Sequence, residues 1–177
     1  ITYDKLQPKI TDTARKLWEL YLLLTIICAI LLYFSGMNIF DAVCHSLTTL
    51  ASGGYSTKNA SIAHWSSPTT HYIIIFFMII AGTNFSLLYG AMIRKQGKRL
   101  VQDEEFKTYL YSILGASLVI AIGLIITRNF EGFKSVELAF RDALFQIVAT
   151  MTTTGFSTSD YMSWHPILWL IILLIIP

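Results

Sequence analysis

Two stretches of this chain read as copies of one another, and each lies between long apolar segments. Residues 41–59 (DAVCHSLTTLASGGYSTKN) align without a gap on residues 142–160 (DALFQIVATMTTTGFSTSD). In both copies an acidic residue begins a run of helical length, small and hydroxyl-bearing residues follow, and Gly-aromatic-Ser-Thr closes the motif. Because a repeated sequence pattern marks a repeated structural unit, we expect the chain to fold as tandem units of one kind.

The apolar segments between these copies determine the class of protein. Charged residues make up 14% of the chain, whereas ordinary soluble domains contain about a quarter. Residues 17–35 contain a single charge, Glu19, and residues 72–93 and 109–127 contain none. Residues 166–177 form a fourth apolar run. Uncharged runs of about 18 residues or more predict membrane-spanning helices, so the sequence predicts an all-α membrane protein.

The duplicated stretches are too short to cross a bilayer and return as helices. Residues 41–50 would form a helix of roughly 15 Å, about half the thickness of the hydrocarbon core. Each stretch is therefore expected to enter the membrane and return to the same side. This places nine of the 13 basic residues on one side, which the positive-inside rule makes cytoplasmic. These nine are Lys5, Lys9, Arg15, Lys16, Arg94, Lys95, Lys98, Arg99 and Lys107; the others are Lys58, Arg128, Lys134 and Arg141.

The part of each copy that follows the short helix predicts an ion path. Residues 51–55 and 152–156 would be non-helical backbone at membrane depth, which is tolerated only when it is buried in protein or lines a water-filled path. Their small side chains would let carbonyl oxygens face a common axis, and rings of such oxygens replace the hydration shell of a monovalent cation. Gly54 and Gly155 are expected there because a Cβ would hinder the required backbone conformation.

Polar residues at two other places have more than one possible role. Asp41 and Asp142 would cap the short helices at their N-termini, or would add negative potential that attracts cations to the outer mouth. Asn84, with Gly82 and Thr83, forms a polar break in the second apolar run. It would make an interhelical hydrogen bond or face the pore.

Two other functional hypotheses use the same residues differently. An intramembrane hydrolase needs a serine nucleophile beside a base, and the candidates are Ser56, Ser157, His45, His64 and His71. Gln146 stands where the first copy has His45, so no base is repeated, and the motif lacks the second glycine of a nucleophile elbow. A membrane scaffold with no pore is the other hypothesis, and it would tolerate bulk at both motif glycines.

Three segments carry a family resemblance: FDAVCHSLTTLASGGYSTKNAS, AGTNFSLLYGAMIRKQGKRLVQDEEFKTYL and IVATMTTTGFSTSDYMSWHP. They resemble the Trk/Ktr/HKT superfamily of potassium transporters, and within it the TrkH membrane subunits of bacteria. That family has four membrane helix–pore helix–membrane helix repeats around one pore, arranged like the subunits of a potassium channel. The resemblance implies that residues 1–100 form one complete repeat, the second of four. Residues 101–177 would be the next repeat, truncated within its last helix, so we expect the chain to be a piece of a longer protein.

The resemblance also implies a potassium filter with one glycine per repeat, here Gly54 and Gly155. The implied filter residues are Ala51, Ser52, Gly53, Gly54, Tyr55, Thr152, Thr153, Thr154, Gly155 and Phe156. Potassium would bind at Ser52, Gly53, Gly54, Thr153, Thr154 and Gly155. The motif has no second glycine after the aromatic residue, so the filter is expected to be looser than that of potassium channels.

Partners and location follow from the same resemblance. It implies potassium as the transported substrate, with no catalytic residue and no covalently bound cofactor. It implies a homodimer in contact with membrane lipid, and a cytoplasmic nucleotide-binding regulatory subunit (TrkA/KtrA-like), with no nucleic acid partner. The expected location is the cytoplasmic (inner) membrane of a bacterium, with residues 1–16 and 94–107 on the cytoplasmic side.

Overall fold

The computed structural model describes residues 7–92, 97–128 and 133–175. Within these ranges the regular structure is helical throughout, so the predicted all-α class is confirmed. Short 3₁₀ helices at Ser61–His64 and Tyr161–Ser163 follow the two motifs. The α-helices are α1 (Gln7–Phe34), α2 (Ile39–Leu50), α3 (Pro68–Ala81), α4 (Phe85–Met92), α5 (Gly97–Gln102), α6 (Glu104–Arg128), α7 (Phe133–Met151) and α8 (Pro166–Ile175).

Two helices are long and apolar enough to cross a membrane by themselves. The crossing part of α1 is Thr13–Phe34, with 22 residues, and that of α6 is Glu104–Thr127, with 24 residues. At 1.5 Å per residue they extend for about 33 Å and about 36 Å, which exceeds the roughly 30 Å of a hydrocarbon core. They correspond to the first and third apolar runs of the sequence.

The second apolar run is not one continuous helix, so the single helix expected there is replaced by a bent pair that together is still long and apolar enough for one span. It forms α3 and α4, which are bent by 107° at a break. The break is stabilised locally, because Gly82 ends α3 with its amide bonded to the Met78 carbonyl oxygen at 2.9 Å. Asn84 directly precedes α4, and its Oδ1 accepts a hydrogen bond from the amide of Ser86 at 2.9 Å. Asn84 is therefore a helix cap, a role that neither sequence hypothesis gave it.

The same order of elements occurs twice along the chain. A long helix, a shorter helix, a motif loop, a 3₁₀ turn and an apolar helix follow one another in α1–α3 and again in α6–α8. Within each set the long helix packs on the shorter one, and the two sets meet where α3 packs on α7. Close approach is visible at Gly123 of α6, where a Cβ would overlap the side chain of Leu168 in α8. Small residues at helix contacts are the usual means of packing helices in lipid.

The second short helix is longer than the sequence pattern predicts. α7 begins at Phe133, whereas the acidic residue Asp142 was expected to begin this helix. Arg141 is buried in α7 and its Nη1 lies 3.2 Å from Glu137 Oε1. Arg141 therefore stands inside the helix, directly before the residue that was expected to begin it.

Several residues used in the topology prediction lie outside the described part of the chain. These are Lys5, Arg94 and Lys95, together with the side chains of Lys9, Arg99, Arg128 and Lys134. The cytoplasmic placement of the basic clusters remains a prediction from the sequence. The boundary expected at residue 100 falls within α5, which is helical across it.

Candidate functional site

The chain folds back onto the ends of α2 and α7 in the same way. After each helix, three successive amides bond to carbonyl oxygens of its last turn, as in helix caps that end in a left-handed residue. In the first copy Ala51, Ser52 and Gly53 donate to Leu47, Thr49 and Thr48 at 3.0, 3.2 and 2.8 Å. In the second copy Thr152, Thr153 and Thr154 donate to Val148, Thr150 and Ala149 at 2.9, 3.0 and 2.9 Å. The matched sequences therefore adopt matched backbones.

Left-handed backbone occurs at the same two positions of each copy. Ser52 and Thr153 have φ of +49° and +56°, and Gly54 and Gly155 have φ of +64° and +81°. A β-branched residue such as threonine rarely adopts positive φ, and such strain costs on the order of 1–3 kcal/mol and concentrates at functional sites. At the second position both copies use glycine, which adopts positive φ without this cost.

The folded-back backbone leaves successive carbonyl oxygens without a hydrogen-bond donor among the described residues, so that they can bind an ion or water. Within the described part of the chain, the carbonyl oxygens of residues 51–54 and 152–155 accept no hydrogen bond. Tyr55 differs, because its carbonyl oxygen accepts a hydrogen bond from Thr48 Oγ1 at 3.0 Å. Across residues 7–92, 97–128 and 133–175 no cluster of His, Cys, Asp or Glu is placed to hold a metal ion. The oxygen ligands that this site offers are therefore backbone carbonyls and nearby hydroxyls.

The two motif loops are in direct contact with each other. A Cβ built on Gly54 would overlap the carbonyl oxygen of Thr154, so only glycine fits against the second loop at that position. Further along, the amide of Ala63 donates to the Ser157 carbonyl oxygen at 3.1 Å, and the amide of Ser157 donates to Ser61 Oγ at 3.3 Å. The structure thus brings Gly54 of the first predicted filter segment into contact with Thr154 of the second, and joins the segments that follow both motifs.

The aromatic residues of the two motifs have opposite environments. Tyr55 is 79% exposed, whereas Phe156 is fully buried. Phe156 packs against His45 of α2, with ring centroids 5.9 Å apart. Because α2 belongs to the first copy, its side chains cover the second motif, while the described residues leave Tyr55 uncovered.

Phe156→Ala is expected to destabilise this chain by about 3–5 kcal/mol, because truncation leaves a cavity in packed surroundings. Tyr55→Ala at the equivalent position is the matched control, and we expect a change of about 0.5 kcal/mol or less for an exposed side chain. Thermal unfolding of both variants in detergent measures the difference. Equal destabilisation would contradict the asymmetric packing of the two loops.

The capping role predicted for the two aspartates is wrong in detail. Asn38 is the N-cap of α2, since its Oδ1 accepts a hydrogen bond from the Asp41 amide at 2.7 Å. Asp142 lies well inside α7, which begins at Phe133. Both aspartates instead accept a hydrogen bond from the threonine that follows the motif serine. Thr57 Oγ1 donates to Asp41 Oδ1, and Thr158 Oγ1 donates to Asp142 Oδ1.

No role was predicted for Thr57 and Thr158 from the sequence, although both copies of the motif end in Ser-Thr and so repeat this threonine. The hydrogen bond from Thr57 is the main cause that lowers the pKa of Asp41, and the charge of Lys58 lowers it further. Asp41 is therefore ionised at neutral pH. Its Oδ2 lies 3.5 Å from Lys58 Nζ, so this ion pair offsets the negative potential that the sequence hypothesis assigned to the outer mouth.

The structure does bring one candidate nucleophile and base together. His45 Nε2 lies 2.9 Å from Ser56 Oγ, while Nδ1 donates to the Asp41 carbonyl oxygen at 2.7 Å. His45 is fully buried, and its ring packs edge-on against Trp65 at 4.9 Å. Ser56 is half-buried, and its Oγ also accepts a hydrogen bond from the Lys58 amide at 3.1 Å, so this pair supports the loop that follows the first motif.

Known proteins match most of this chain. The sequence model of the TrkH family, described as cation transport protein, matches residues 2–176. The Trk system potassium uptake protein TrkH of Escherichia coli K12 is 36% identical over 162 residues, which cover 91% of this chain and 33% of that protein. The Trk system potassium uptake protein TrkG of the same strain is 34% identical over 175 residues, which cover 96% of this chain and 34% of that protein.

A solved structure matches the fold as well. The crystal structure of the potassium transporter TrkH from Vibrio parahaemolyticus superposes with a TM-score of 0.87 at 35% identity, covering 94% of this chain and 36% of that one. The chain described above therefore spans about a third of the length of the relatives that it matches.

Proposed function

This chain belongs to the TrkH family of cation transport proteins, and we propose that it supplies two filter segments to the pore of a potassium-uptake protein. It is an integral membrane protein, as its apolar helices and the family indicate. The resemblance stated from the sequence is thereby confirmed at the level of the family. The relatives' names refer to potassium uptake, and none of them refers to hydrolysis.

One observation carries the proposal. The two motif loops share their backbone conformation, their helix-capping hydrogen bonds and a row of carbonyl oxygens without partners among the described residues. Unpaired backbone oxygens are costly in a bilayer unless water or an ion meets them. Successive carbonyl oxygens along a short backbone segment are the ligands that replace the hydration shell of potassium.

In this proposal Ser52, Gly53 and Gly54 coordinate potassium together with Thr153, Thr154 and Gly155. The first loop contacts the second at Gly54, which supports placing both around one axis. We further propose that residues 1–100 and 101–177 form two consecutive repeats of a ring of four, since α1–α3 and α6–α8 follow the same order.

Location and partners complete the proposal. The protein would reside in the inner membrane of a bacterium, with residues 1–16 and 94–107 facing the cytoplasm, as the positive-inside rule predicts. It would form a homodimer and bind a cytoplasmic nucleotide-binding regulatory subunit, as the family resemblance implies. Potassium would be its substrate, with no covalently bound cofactor.

Ion flux in proteoliposomes that contain the full-length protein tests this function. We expect rubidium, as a potassium tracer, to accumulate faster than sodium by about tenfold, which corresponds to about 1.4 kcal/mol of discrimination. Gly90→Ala is the control variant, because a Cβ at Gly90 meets no atom within 4 Å and lies outside the motifs. Correctly inserted protein that passes neither ion would show that the repeats build something other than a pore.

A further inference from the structure

The break between α3 and α4 lies directly against the second motif loop. A Cβ at Gly82 would come within 2.5 Å of Tyr109 Oη and within 2.9 Å of Thr152 Cγ2. The backbone of Gly82 has φ of −78° and ψ of −4°, an ordinary right-handed conformation. Any residue adopts this conformation. Glycine is therefore required at this position because a side chain has no room there, and not because of its backbone conformation.

Thr152 occupies a defined position behind the second loop. It is buried, and its Oγ1 lies 2.8 Å from the Val148 carbonyl oxygen and 2.8 Å from Thr154 Oγ1. The first copy has alanine and glycine at the two equivalent positions, so this pair of hydroxyls belongs to the second loop alone. Thr154 in turn presents its carbonyl oxygen to Gly54. A continuous series of contacts therefore links Gly82 to both motif loops.

We propose that Gly82 is a positioning residue for the filter. Because it has no side chain, Thr152 can occupy its position behind the second loop, where it holds Thr154. The position of the Thr154 carbonyl oxygen, and with it the ion selectivity, then depends on Gly82. This inference rests on the proposed function, because it assigns a structural cause to the selectivity of that same pore. It connects the bent helix of the first unit with the filter loop of the second, so the two units determine selectivity jointly.

The test measures the ratio of rubidium to sodium flux for Gly82→Ala in the full-length protein in proteoliposomes. We expect this ratio to fall about fivefold, which corresponds to about 1 kcal/mol, while the amount of inserted protein stays unchanged. Gly90→Ala is the matched control on the same bent pair of helices, and its ratio should equal that of the wild type. An unchanged ratio in inserted Gly82→Ala would overturn the proposal.

A double-mutant cycle identifies the contact through which Gly82 acts. Thr152→Ser removes only the Cγ2 methyl group that a Cβ at Gly82 would meet, and keeps the hydroxyl. Gly82→Ala should therefore have no effect on the ratio in a Thr152→Ser background. In a Tyr109→Phe background, which relieves the other close contact, Gly82→Ala should still lower it. The reverse pattern would mean that Gly82 acts on the packing of α6, and would overturn the proposal.

If Gly82→Ala does not insert, Thr152→Val decides, because valine keeps the shape that packs on Gly82 but lacks the hydroxyl. A lowered ratio supports the hydroxyl link from Thr152 to Thr154 on which the proposal depends, and an unchanged ratio overturns the proposal. A wild-type protein without potassium-selective flux would instead overturn the proposed function, so the two failures are distinguishable.

Discussion

Gly54→Ala is expected to reduce potassium flux by more than about tenfold, the equivalent of at least about 1.4 kcal/mol. The new Cβ would overlap the backbone carbonyl oxygen of Thr154, and no side-chain rotation relieves a clash with backbone. The positive φ at Gly54 adds roughly 1–2 kcal/mol of strain for a residue with a Cβ. Both effects displace carbonyl oxygens at the point where the two loops meet. Rubidium uptake into proteoliposomes measures the loss.

Gly36→Ala separates these two effects. Gly36 also has positive φ, at +108°, but a Cβ there meets no atom within 4 Å and the residue lies outside the motifs. This variant should lose stability through strain and keep its potassium flux per inserted molecule. If Gly54→Ala behaves like Gly36→Ala, the contact between the loops does not matter for conduction.

Gly155→Asp is the second substitution for which we expect a near-complete loss of potassium flux. Gly155 has φ of +81°, and a Cβ built there meets no atom within 4 Å. The carboxylate would therefore extend into open space beside the carbonyl oxygens of the second loop. Conduction requires that an ion bind tightly enough to enter and weakly enough to leave, and a fixed negative charge at this point holds the ion too strongly.

The control for Gly155→Asp is the same change at Gly97, which is exposed in α5 with open space around it. Gly97→Asp should conduct at the wild-type rate. Gly155→Asn adds similar bulk without the charge, and asparagine tolerates positive φ better than most residues. We expect partial flux from this variant. Wild-type rubidium uptake by inserted Gly155→Asp would refute the assignment of this loop to the ion path.

Much of the architecture was predictable because it depends on local patterns. Long uncharged runs specify the membrane helices α1 and α6, and the gapless duplication specifies two loops with the same conformation. Gly54 and Gly155 stand at equal positions in the two copies, and both have positive φ. This agreement arises because the preference for positive φ belongs to the residue type itself.

Other features depend on where helices begin and end, which the sequence pattern predicts less well. Asn84 breaks the second apolar run because its side chain caps α4, although hydropathy alone predicts one continuous span. Asp142 was expected to begin a short helix, but α7 extends back to Phe133. The segment before Asp142 has no glycine or proline close enough to stop the helix there, so the acidic residue alone was a weak marker of the helix start.

By itself, the sequence determined the membrane class, the duplication, the two motif glycines and the family, since each depends on residue type and order along the chain. Only the tertiary structure decided which residues meet across the two units. The contact of Gly54 with Thr154, the burial of Phe156 but not Tyr55, and the space that Gly82 leaves for Thr152 are of this kind. The physical reason is that close packing depends on distances between elements far apart in sequence, which neither hydropathy nor periodicity records.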